Sequence, residues 1–131
     1  MAADRDRPLS PHLQVYRLPL NAITSITHRI TGIALALGAV LLVAMLVAAA
    51  DGSQAYRVAY DLAASWAGRV ILLAFTLALY YHLCAGVRHL FWDAGYGYGL
   101  DAARRGSWAI IVAAIALTVS TWALALTVNG S

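Results

Sequence analysis

The chain has 131 residues, 62% of them hydrophobic, and a mean hydropathy of +0.72. Those values exclude a water-soluble globule and leave no length for a separate catalytic domain beside a membrane part. The net charge of +3 comes from nine Arg and six Asp, with no Lys or Glu. These charges sit at the ends of apolar stretches, where they set topology, so the basicity is not read as a nucleic-acid surface.

Residues Met1 to Leu18 carry charges, Pro8 and Pro11, and no long apolar run. This is neither a signal peptide nor, with Asp4 and Asp6, a good transit peptide. The expected division is an inner-face arm over residues 1–19 and a membrane anchor over residues 20–131. Pro19 is suited to open the first helix.

Three stretches carry no formal charge: Ile30 to Ala50, Val70 to Val87, and Gly106 to Ser131. Each matches the roughly 20 residues that cross a hydrocarbon core of about 30 Å. The expected fold is an all-α membrane protein with three transmembrane helices. The first runs from Leu20 to about Ala49, the second from Leu62 or Gly68 to Leu90, and the third from about Ala103 to Val128. The connection from Gln54 to Arg69, with room for a short surface helix, holds Tyr56, Tyr60 and Trp66 as an interfacial aromatic belt. The glycines between Asp93 and Asp101 predict a loop, in which Tyr96 and Tyr98 either join the belt or line a site.

Arginine counts orient the chain. Arg5, Arg7, Arg17 and Arg29 precede the first span, and Arg88, Arg104 and Arg105 belong to the second loop. Only Arg57 and Arg69 lie in the first loop. The N-terminus and second loop should therefore face the cytoplasm, and the C-terminus the periplasm. The arginine-only, alanine-rich usage suggests a bacterial gene and hence the bacterial inner membrane.

Two stretches carry chemistry. The first, Ser25-Ile-Thr-His28-Arg29-Ile-Thr-Gly32, puts Ser25, His28, Arg29 and Gly32 three, four and seven positions apart, on one helical face at the membrane border. Arg29 either snorkels to lipid headgroups or, with Ser25, holds an anionic or carbonyl ligand. A haem propionate and a quinone oxygen both fit. The second stretch, His82 to Asp93, aligns His82, Gly86 and His89 at i, i+4 and i+7. An ionisable residue at membrane depth points to function. A neutral imidazole there either hydrogen-bonds a neighbouring helix or ligates haem iron. Gly86 lets a flat group or another helix approach. The lone Cys84 forms no disulfide within the chain, and no C-x-x-C-H attachment motif exists, so any haem is held non-covalently.

The motifs Arg7-Pro8-Leu9, Leu13, Leu20, Ser25-x-x-His28-Arg29-x-Thr31 and His82-x-x-x-Gly86-Val87-Arg88-His89-Leu90-x-Trp92-Asp93-x-Gly95 occur in this order at the predicted helix ends. They closely resemble the cytochrome b subunits of succinate dehydrogenase, the membrane anchors of complex II. The resemblance runs from Arg7 to about Gly95 and implies a helix bundle shared with other subunits. It implies that His82 is an axial ligand of haem b, and that His28, Arg29 and His89 lie near the haem propionates. It also implies that Ser25 and Arg29 bind quinone; Asp93 matches a family position, and we expect it to orient Arg29 or Arg88. Only one His lies well inside an apolar segment, so the second iron ligand is expected from another chain, which the resemblance implies is a second small membrane-anchor subunit. The flavoprotein and iron–sulfur subunits are expected on the inner face. Two other readings compete: a haem-free structural anchor, and a small transporter subunit, which would spread ionisable groups through the depth of a pore.

Overall fold

The computed structural model describes residues 17–129. Most of the expected inner-face arm, with Arg5, Arg7, Pro8 and Pro11, lies outside the described residues, as does Ser131. The chain is helical almost throughout: α1 spans Leu20–Asp51, α2 Ser53–Ala64, α3 Trp66–Asp93 and α4 Leu100–Asn129. Leu20–Asp51, Trp66–Asp93 and Leu100–Val128 are each long and apolar enough to cross a membrane. The three-span architecture read from the sequence is thus present, with a fourth, short helix joining the first two spans.

The helix ends differ from the expected ones. The second span starts at Trp66, and Leu62 belongs to α2. Ser65 separates the two helices: its backbone is extended and its hydroxyl accepts from the Gly68 amide at 3.1 Å, an N-cap. Gly68 is required there, because a Cβ would collide with the carbonyl oxygens of Leu62 and Ala63. At its C-terminal end α3 continues past the expected limit at Leu90, through Asp93. Once nucleated, a helix adds one backbone hydrogen bond per residue, so it does not stop where the hydrocarbon stops. The loop that follows turns at Gly95 and Gly97, whose φ angles of 88° and 84° suit residues without a Cβ.

α3 is the central element, packed against both α4 and α1, while α1 and α4 meet less extensively. Few residues are buried: Thr24 and Thr31 on α1, Ala85 on α3, and Ser107, Ile110, Ala114 and Thr118 on α4. Most large apolar side chains face outward, including Leu37, Val40 and Leu41 on α1. That inside-out distribution is what a lipid solvent demands, since lipid tails are as apolar as leucine and drive no burial. Small residues and hydroxyls make the helix contacts instead. Gly38 lies so close to the Phe75 ring that a Cβ would stand 2.6 Å from it, and Trp122 Nε1 donates to Thr76 at 3.3 Å.

Candidate functional site

Three imidazoles come together near the N-terminal end of α1 and the C-terminal end of α3. His82 and His89 are seven positions apart on α3, and His28 of α1 stands between them. The His28 ring centroid is 4.2 Å from that of His82 and 5.7 Å from that of His89. His89 continues edge-on to Trp92 at 5.5 Å.

His82 is held by α1. Its Nδ1 lies 3.1 Å from the His28 carbonyl oxygen and 3.3 Å from Thr31 Oγ1. Thr31 in turn donates to the same carbonyl at 2.9 Å. A carbonyl oxygen only accepts, so Nδ1 carries the proton and Nε2 keeps a lone pair. Gly32 makes this approach possible, because a Cβ there would stand 3.1 Å from His82 Cε1. Gly86, one turn beyond His82, faces open space: a Cβ there would meet nothing within 4 Å.

These residues fit a haem edge. A hydrogen bond at one ring nitrogen fixes the tautomer and orients the other toward a metal. His28 Nε2 is buried and has no hydrogen-bond partner among the described residues. Such an orphan costs about 1–3 kcal/mol and is satisfied by an acceptor or donor brought in from outside the chain. Among the described residues no three His, Cys, Asp or Glu side chains converge as a metal site.

The first-motif residues divide. His28 and Gly32 turn toward α3, Ser25 is half-buried, and Arg29 is exposed. The deepest positions of α1 are Thr24 and Thr31, one residue before Ser25 and one before Gly32, so Ser25 and Arg29 occupy the flank of the packed face. Asp93 is exposed and forms no ion pair with Arg29 or Arg88 among the described residues, so the expected orienting contact is absent.

Arg88, which the charge count had assigned to the second loop, lies within α3 and points inward. Its Nη1 donates to Ser107 Oγ at 2.7 Å and its Nη2 to Thr24 Oγ1 at 3.2 Å. Ser107 Oγ also lies 2.7 Å from Asn21 Oδ1, and Tyr81 donates to the Thr24 carbonyl at 3.0 Å. This cluster joins all three spans and was not anticipated. On the far side of α3, Cys84, Phe91, Trp92, Tyr96 and small residues of α4 border an apolar groove of about 460 Å³.

A profile of the succinate dehydrogenase/fumarate reductase transmembrane subunit matches residues 3–121. The chain belongs to that family. It is 53% identical over 116 residues to the succinate dehydrogenase cytochrome b556 subunit of Paracoccus denitrificans, covering 88% of this chain and 89% of the relative. The corresponding Rickettsia felis subunit is 37% identical over 116 residues, with 88% and 90% covered. The succinate dehydrogenase cytochrome b560 subunit of Reclinomonas americana is 37% identical over 122 residues, with 89% and 85% covered.

Proposed function

We propose that the chain is the haem b- and quinone-binding membrane anchor of a succinate:quinone oxidoreductase in the bacterial inner membrane. The carrying observation is the Nδ1 contact of His82 with the His28 carbonyl, which supports the reading that Nε2 would be the nitrogen that holds the iron. Haem supplies a one-electron carrier beside the quinone site. His82 holds and orients it from one side, while a second small anchor subunit supplies the other axial ligand. The buried Nε2 of His28, together with His89 and Arg29, receives the propionates.

Quinone is the substrate. A quinone head accepts hydrogen bonds while its tail stays in lipid, so a polar pair at the end of an apolar slot suits it. Ser25 and Arg29 supply that pair, and their place on the flank of the packed face leaves them open to a ligand and to a partner subunit. The iron–sulfur and flavoprotein subunits dock on the inner face, where the arginines cluster. Succinate is oxidised there, and the anchor contributes no dehydrogenase chemistry. The N-terminus is cytoplasmic and the C-terminus periplasmic.

The deciding experiment is a redox difference spectrum of the intact purified complex, with and without succinate. A haem b band that reduces on adding succinate supports the reading. A complex that oxidises succinate and shows no haem band leaves only a structural anchor.

A further inference from the structure

Arg88 is the charged side chain that the helix packing draws inward. Among the described residues every other Arg and Asp is exposed. Its contacts are all with neutral groups: the hydroxyls of Ser107 and Thr24, and the Trp92 ring, whose centroid lies 4.6 Å from Cζ. Its Nε is buried and has no partner among the described residues. Ser107 is fully buried and is itself tied to Asn21. Gly106 leaves room for the side chain to pass, since a Cβ there would stand 3.3 Å from Arg88 Cδ.

The guanidinium is therefore pinned by α1 and α4 without a carboxylate to cancel it. Arginine has no accessible neutral form, so the charge persists on burial. Arg88 is half-buried, and a charge held among neutral protein dipoles acts at an effective dielectric constant of about 20, well below that of bulk water. Arg88 follows His82 by six residues on the same helix, about 9 Å along its axis.

We propose that Arg88 tunes the redox potential of the group held at His82. A fixed positive charge favours the state with one more electron, so it raises the midpoint of the one-electron Fe(III)/Fe(II) couple. No bond in this chain forms or breaks, and the electron comes from the reductant. Arg88 acts through space, as a positioning residue for charge. Its neutral hydroxyl partners hold the guanidinium in place and leave its field intact, which a carboxylate partner would not do. The inference rests on the haem reading of His82.

The test is a potentiometric titration of the haem absorbance in the intact complex. Arg88→Gln should lower the midpoint while the low-spin band remains. Arg88→Lys keeps the charge and should stay near the wild-type midpoint. Asn21→Asp is nearly isosteric and places a carboxylate in the Ser107 chain, so it should lower the midpoint with Arg88 still present. It also decides the matter if Arg88→Gln does not assemble. An unchanged midpoint in the neutralising variants, or equal falls in Arg88→Lys and Arg88→Gln, overturns the proposal. A wild-type complex without a haem band would instead defeat the reading of His82.

Discussion

His82 Nδ1 lies 3.1 Å from the carbonyl oxygen of His28, a side chain of the second span bonded to the backbone of the first. No side-chain substitution removes that acceptor. The contact is adjustable only through the space around it, and Gly32 controls that space.

Gly32 therefore offers a graded perturbation. An alanine Cβ would stand 3.1 Å from His82 Cε1, so the ring must move by a few tenths of an ångström. Alanine also gains about 1 kcal/mol of helix propensity over glycine, so insertion should not suffer. Gly32→Ala should retain haem with altered electron paramagnetic resonance g-values. Gly32→Val, with more bulk at the same place, should lower the haem-to-protein ratio several-fold. Full haem content in Gly32→Val would show that the close approach is not needed.

The flank of α1 gives a second prediction. Ser25→Ala and Arg29→Leu should each impair quinone reduction while sparing succinate oxidation by a water-soluble acceptor. Losing one hydrogen-bond donor costs about 1–3 kcal/mol, roughly 5- to 150-fold in binding. Ser25→Ala should leave haem content unchanged, whereas Arg29→Leu should disturb haem as well, because its charge is proposed to serve a propionate too. Paired assays on the same assembled enzyme measure this. Equal loss of both activities in both variants would point to failed assembly.

How far the sequence carried these expectations depends on the signal involved. Hydropathy located the three spans, and the spacing of His82, Gly86 and His89 placed two imidazoles along one face. Helix ends were less legible, because Arg88 and Asp93 break the uncharged run but not the backbone ladder of α3. The cluster of Asn21, Thr24, Arg88 and Ser107 was missed. Hydroxyl residues in an apolar helix leave no period in the sequence, and Ser107 lies 86 positions from Asn21. The available signals were an Arg inside the helix two turns past His82 and the seven-residue spacing of Thr24 and Thr31.

Orientation gives a third prediction. Reporter fusions in the loop between Asp93 and Asp101 should read cytoplasmic, and fusions after Ser131 periplasmic, as the arginine distribution requires. A cytoplasmic signal at Ser131 would contradict a three-span path.

The central claim is that His82 holds the haem, and His82→Ala tests it most directly. Alanine keeps the helix apolar, so α3 should still insert and the complex should still assemble. The measurement is the low-spin haem b spectrum of the purified variant complex beside the wild type. The expected result is loss of haem, or its conversion to a high-spin form by removal of one axial ligand. An unchanged low-spin spectrum at full haem content would show that the iron is bound elsewhere.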